Sequence, residues 1–196
     1  MIIKPKILVF PGSNRAASHN ARLAGALTKA FALRECDVTR ITLRDYPMPI
    51  YNGDDEASDG PPQNAVKLAR LFHVHDAVVI VSPEYNASIP PLVKNTVDWV
   101  SRVRKDDIGR LTPYRNKVFA LSSASTGKFA GVRSLYHLRA SLVATGALVL
   151  SEQVSLSFAG EAFDEFDELV DQRTRSHMDS FCDSVIEKAA MFPAPA

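Results

Sequence analysis

Ile7-Leu8-Val9-Phe10-Pro11-Gly12-Ser13-Asn14-Arg15-Ala16-Ala17-Ser18-His19-Asn20 is the stretch that decides the fold. Four apolar residues open it, a turn of small polar residues follows, and Leu23, Leu27 and Phe31 then recur every four positions. This is the pattern of a strand buried on both faces, a turn, and an amphipathic helix. Gly12 can adopt backbone angles that other residues resist, so several amides can converge at the helix start, a place that holds an anion. A helix terminus alone contributes about 0.3 to 1 kcal/mol, whereas each hydrogen bond to a charged group contributes roughly 1.5 to 3 kcal/mol. The side chains therefore decide the ligand. The Arg15 fork, the Ser13 and Ser18 hydroxyls and the Asn20 amide suit a terminal phosphate dianion better than a carboxylate. On this stretch alone the plainer reading, with Ser18 capping the helix and Arg15 solvated, stays open.

Further along, strand and helix signals alternate. Asp37 to Leu43 alternates apolar and polar residues and reads as a second strand near a sheet edge. Arg44 to Pro62, rich in proline, glycine and acidic residues, reads as a long excursion without periodicity. A helix is expected from Gln63, then a central strand at Ala77–Val81, the most apolar run in the chain. That strand ends in Ser82-Pro83-Glu84-Tyr85-Asn86-Ala87-Ser88-Ile89-Pro90-Pro91, with a helix starting at Pro90 or Pro91. Lys117–Ser122 reads as a fourth strand, followed by Ser123-Ala124-Ser125-Thr126-Gly127-Lys128 and a helix from Ala130. Ala147–Leu150 is a short fifth strand, and Phe163, Phe166, Val170, Met178, Phe181 and Val185 place a last helix from Glu161. One domain over residues 1–190 is expected, with 191–196 a loose tail.

Five strand–helix alternations with apolar strands give an α/β fold, a doubly wound parallel sheet with helices on both faces. In the flavodoxin-like order 2-1-3-4-5, ligands bind at the switch point between strands 1 and 3, outside their carboxyl ends. The three unusual loops follow strands 1, 3 and 4, so all three converge there.

Among 196 residues, 23 basic against 22 acidic side chains call for neither nucleic acid nor an anionic membrane. Two isolated cysteines, Cys36 and Cys182, fit a reducing compartment, and neither a signal peptide nor a membrane span is visible, so a cytoplasmic protein is expected.

Other devices are missing. Gly12 lacks the companion glycines of a dinucleotide fingerprint, and Phe129 follows Gly127-Lys128 where a nucleotide triphosphate loop needs a hydroxyl. His73 and His75 lie two apart and read as surface or packing residues. With no self-sufficient catalytic set, a bound cofactor is the natural carrier of reactivity. Pro83-Glu84-Tyr85-Asn86 offers a stiff turn and an aromatic face suited to a planar ring system.

Gly12-Ser13-Asn14-Arg15 with Ser18 and Asn20, then Pro83-Glu84-Tyr85-Asn86-Ala87-Ser88-Ile89-Pro90, Lys94-Asn95 and Asp98-Trp99, resemble the NADPH-dependent FMN reductase family, which includes quinone, azo-dye and chromate reductases of flavodoxin-like fold. Arg133 to Arg139 is similar to the corresponding segment of its chromate and quinone reductase branch. The resemblance implies FMN, with its phosphate at Ser13, Arg15, Ser18, His19 and Asn20 and its ring against Pro83, Glu84, Tyr85 and Asn86. Ser125 and Gly127 would close the third side. It also implies NADPH or NADH as hydride donor, a small-molecule acceptor with quinones first, and a homodimer or homotetramer meeting near Tyr85, Arg133 and Tyr136. Phe129-Ala130-Gly131 departs from the paired glycines common there. An FMN-binding electron carrier or redox sensor without turnover is the competing class. Arg102, Arg104 and Lys105 are available to a 2′-phosphate, although a basic helix end also complements the helix dipole.

Overall fold

Lys6–Pro11 forms β1, and its alternate residues serve two separate cores: Ile7 and Val9 pack on one face of the sheet, Leu8 and Phe10 on the other. The same split recurs at Ala77–Val81, the central β3, where Val79 and Val81 oppose Val78 and Ile80. A continuous apolar run with period-two side chains is what a strand covered on both faces requires. The computed structural model describes residues 4–195; Met1–Ile3, at the start of the expected strand approach, and Ala196, at the end of the expected tail, lie outside the described residues.

The sheet is all parallel, in the order β2-β1-β3-β4-β5, as the alternation predicts. Here β2 is Asp37–Arg40, β4 is Val118–Ala124 and β5 is Leu148–Leu156. Helices α1 (His19–Leu33) and α6 (Gln172–Met191) cover one face; α3 (Gln63–Val74), α4 (Pro91–Arg102) and α5 (Val132–Ala144) cover the other. No described helix is long and apolar enough to cross a membrane.

Four elements differ from expectation. First, β2 stops at Arg40, and a single 3-10 turn follows at Leu43–Asp45. Second, the excursion after it contains a short helix, α2 (Gly53–Asp59), whose N-terminus is capped by Asn52 and carries three acidic residues in its first turn. The carbonyl of Pro49 accepts from both Asn95 Nδ2 and Trp99 Nε1 at 2.8 Å, which pins the excursion onto α4. Third, β5 extends to Leu156, its polar residues facing solvent along the sheet edge.

The fourth difference concerns the last helix, which starts at Gln172 under an Asp171 cap and not at Glu161. The Asp164 carboxylate accepts from the amides of Phe166 and Glu168, both at 2.9 Å, and Phe158 and Asp167 adopt left-handed backbone angles. Local side-chain bonds thus replace the helical ladder although the apolar spacing is helical. Beyond α6 the chain returns to the amino end of the sheet, where the Ala194 amide and the Lys6 amide share the two oxygens of Asp76, each at 2.7 Å.

Candidate functional site

Three loops leave the carboxyl ends of β1, β3 and β4 at one level. Pro11 pairs with Val81 and Val81 with Ser122, and the ladder continues through Gly12 N–H on Val81 O and Ser82 N–H on Ser122 O, both 2.8 Å. The loops are then tied to one another.

The first tie is a close approach. A Cβ on Gly12 would lie 2.3 Å from Val93 Cγ2 and 3.4 Å from Pro83 Cδ. Gly12 itself lies outside the left-handed region. The expected reason for a glycine, unusual backbone angles, is therefore corrected: the position needs the absence of a side chain, so that the turn can seat against α4 and Pro83.

Asn20 makes the second tie. Its Nδ2 donates to Ala124 O and its Oδ1 accepts from Ala124 N, each at 2.9 Å, joining the first loop to the third inside the protein. Glu84 makes the third: its carboxylate accepts from the backbone amide of Arg133 at 3.1 Å and from Arg133 Nε at 2.8 Å. Gly131, in the left-handed region, supplies no side-chain cap to α5, so Glu84 caps that helix from another loop. Burial alone would raise the Glu84 carboxyl, but the Arg133 guanidinium and the amides of Arg133 and Ser134 outweigh it and hold it below the usual carboxylate range. Ser88 Oγ adds a 2.9 Å contact to His137 on α5.

The remaining candidates sit within this frame. Ser13 is buried, its Oγ accepting from the Arg15 amide at 3.3 Å, and Ser18 caps α1 by accepting from the Ala21 amide at 3.3 Å. Arg15 is exposed, in no ion pair among the described residues. His19 Nδ1 is the buried side-chain polar atom without a partner among the described residues. Tyr85 and Ser88 exchange backbone hydrogen bonds around Asn86 and Ala87, at φ 49° and 62°. Positive φ at both central residues marks a tight reversal, and Ala87 carries a strain of about 1 to 2 kcal/mol there. Tyr85 is left about half exposed. Ser125 donates its amide to Leu156 O, accepts from the Ala159 amide and takes the Gly127 amide on its Oγ at 3.2 Å.

Other basic and imidazole groups lie elsewhere. Arg102 stacks over Tyr51 and faces Glu56 at 3.5 Å, while Arg104 and Lys105 line a cleft with Ala144 and Thr145 at the far end of α5. Because α4 and α5 run back against the strands, that cleft is at the amino end of the sheet, away from the three loops. Arg104 and Lys105 thus lie at the opposite end of the sheet from the loops, and Arg102 is engaged by Tyr51 and Glu56. His73 serves Thr112, and His75 bonds Leu71 O at 2.7 Å.

Sequence reasoning missed the Glu84–Arg133 and Ser88–His137 ties, since a contact between separate loops leaves no local spacing. It also missed Arg40 and Arg44, which line a cleft beside Ser13–Ala16.

A family model described as NADPH-dependent FMN reductase matches residues 5–161, a span that contains all three loops. A quinone reductase of Escherichia coli (strain K12) is 31% identical over 178 residues, covering 89% of this chain and 90% of that protein. An NAD(P)H-dependent FMN reductase of Pseudomonas aeruginosa is 34% identical over 172 residues, 87% of each. The solved structure of FerB, a flavoenzyme NAD(P)H:(acceptor) oxidoreductase from Paracoccus denitrificans, superposes with a TM-score of 0.77 at 24% identity, covering 96% of this chain and 98% of that one. On these matches, running through every loop that builds the site, the chain belongs to the NADPH-dependent FMN reductase family.

Proposed function

We propose that this chain is an NAD(P)H-dependent FMN oxidoreductase whose acceptor is a quinone, with azo compounds, metal oxyanions and free flavin behind it. The observation that carries the reading is the bracing of three loops at one end of the sheet, by Gly12 against Val93, Asn20 on Ala124 and Glu84 on Arg133. Donors fixed before a ligand arrives cost little ordering on binding.

We assign the FMN phosphate to Ser13, Arg15, Ser18, His19 and Asn20, and the ring system to Pro83, Glu84, Tyr85, Asn86, Ser125 and Gly127. The chemistry of the donor set supports this: a guanidinium and a buried imidazole nitrogen that have no carboxylate and no hydrogen-bond partner, respectively, among the described residues, and the first turn of α1. Within the set, Ser18 shapes the helix start and Asn20 fixes the loop against Ala124, leaving Arg15 as the charged donor. FMN held by these residues would supply the redox chemistry, hydride acceptance from the nicotinamide and electron delivery to the acceptor. The chain binds and orients; Glu84, salt-bridged to Arg133, holds the wall in place, and the half-exposed Tyr85 leaves one side open to exchanging substrates.

Purified protein loaded with FMN should oxidise NADPH continuously in the presence of a soluble quinone. One stoichiometric reduction followed by arrest would make it an electron carrier. Arg15→Ala should release most of the FMN, and full retention would remove the role given to Arg15.

We further propose a homodimer or homotetramer with its boundary near Tyr85, Arg133 and Tyr136. Tyr85, Phe129 and Tyr136 are large and exposed beside the site, which supports a partner surface there. Light scattering of the purified protein as a monomer would end that assignment. The free thiols Cys36 and Cys182 suit a reducing interior, and we place the protein in the cytoplasm.

A further inference from the structure

A cleft of about 440 Å³ lies on the β2 side of the first loop, with Ser13 and Arg15 of the assigned phosphate loop on one wall and Arg40, Arg44, Asp45 and Tyr46 on the other. Arg15 is the donor given to the flavin phosphate; Arg40 and Arg44 lie beyond it, and no ion pair among the described residues involves either. Arg22, Arg34, Arg70 and Arg133, by contrast, are all matched to carboxylates. With Arg15 given to the flavin, one carboxylate, Asp45, stands against the two guanidiniums of Arg40 and Arg44, so that wall stays net positive.

Two of the arginines are braced. Arg40 Nη2 donates to Ala21 O at 2.8 Å, and Arg44 Nη2 donates to Asn14 O, so each grips the backbone of the loop–helix junction. A guanidinium has five donors, and these bonds leave most of them unspent. Braced, unpaired guanidiniums around a concavity suit a phosphate monoester, which they can grip bidentately.

We infer that the Arg40–Arg44 side of this cleft is a second anion subsite, adjoining the flavin phosphate held on the Ser13–Arg15 side, and that it takes the 2′-phosphate on the adenosine half of NADPH. The inference rests on the nicotinamide-dependent reading above. The loops assigned to the ring leave β3 and β4, the phosphate loop leaves β1, and the cleft lies toward β2. With strands about 4.8 Å apart, the span from the ring loops to the cleft is roughly 10 to 15 Å, which an extended dinucleotide bridges. Tyr46, half-buried at the rim, offers an aromatic surface to a purine.

The test uses FMN-loaded wild type, Arg40→Ala, Arg44→Ala and Arg44→Lys. It measures kcat/KM with NADPH and with NADH, the Kd of 2′-AMP and of 5′-AMP by calorimetry, and bound FMN by absorbance. The ratio of the NADPH to the NADH kcat/KM should fall at least about tenfold in each alanine variant, the loss expected for one charged hydrogen bond. Affinity for 2′-AMP should fall by a similar factor and that for 5′-AMP should not, while Arg44→Lys recovers part of the loss. An unchanged ratio, or equal losses with both dinucleotides, overturns the subsite. Loss of FMN from the alanine variants overturns it too, because the cleft then belongs to the flavin phosphate. Binding of 2′-AMP that depends on Arg40 and Arg44, in a protein without turnover, upholds the subsite and sinks the reductase reading alone.

Discussion

Asn20 and Ala124 exchange two hydrogen bonds, each 2.9 Å, between the first turn of α1 and the end of β4. Both groups are buried, so the contact works as a rivet between two loops that otherwise belong to different strands. Asn20→Ala leaves the Ala124 amide and carbonyl without partners, and each such buried group costs about 1 to 3 kcal/mol. The variant should lose roughly 2 to 4 kcal/mol of stability and bind FMN more weakly than wild type. Urea unfolding of the flavin-free protein, set beside an FMN titration, checks both. Unchanged stability would mean that water replaces the rivet at no cost.

The Gly12 site gives a sharper version of the same question. A methyl group there would collide with Val93 Cγ2 at 2.3 Å, and forced overpacking costs typically about 1 to 3 kcal/mol. Gly12→Ala should therefore push the loop off α4 and weaken FMN binding. Trimming the obstacle, in the double variant Gly12→Ala with Val93→Ala, should recover a large part of that affinity. A double variant no better than Gly12→Ala would show that the glycine serves the ligand and not the packing.

Glu84 makes the braced geometry sensitive to acid. Its carboxyl lies below the usual range because Arg133 and two amides outweigh the effect of burial. A depressed folded-state pKa gives stability that is present above the ordinary carboxylate pKa and lost as pH falls through the folded value. Wild type should therefore exceed Glu84→Gln in stability at pH 6 by about 1 to 3 kcal/mol, the worth of a charged hydrogen bond, and the gap should close below about pH 4. Parallel unfolding midpoints for the two proteins from pH 6 to pH 3 would refute the coupling.

Much of this was legible in the chain because strands buried on both faces announce themselves as short apolar runs. Ile7–Phe10 and Ala77–Val81 need no other explanation, and the loop positions follow from the sheet order. Phe163, Phe166 and Val170 misled for a physical reason: they have helical spacing, yet Asp164 captures the amides that a helix would use. In the candidate site, only a segment that carries its own chemistry, as Ser13 to Asn20 does, offers a signal to a local reading. The site was illegible where the partner comes from another segment. Val93 is what forbids a side chain at position 12, Arg133 is what Glu84 holds, and Arg40 and Arg44 meet Arg15 only once β2 lies beside β1.

Lys117, at the start of β4, carries a pH dependence that the site does not share. Its Nζ is buried and donates to the backbone carbonyls of His73 and His75, so burial brings its pKa from 10.5 down to about 8, with Asp76 offsetting part of the effect. Between about pH 8 and 10.5 the unfolded chain then holds a proton that the folded chain has shed, so stability rises with pH, by at most about 1.4 kcal/mol per unit from this group. Cys182 acts in the opposite sense: burial raises its thiol from 9.0 to about 12, so above pH 9 the unfolded chain loses a proton that the folded chain keeps. The Lys117 contribution is therefore seen cleanly from about pH 8 to 9, and the two oppose each other above that. Urea midpoints should climb across that first window in wild type and stay flat in Lys117→Met, which keeps the volume without the charge. Matching slopes in the two proteins would show that Lys117 reaches water in the folded state and titrates as an ordinary lysine.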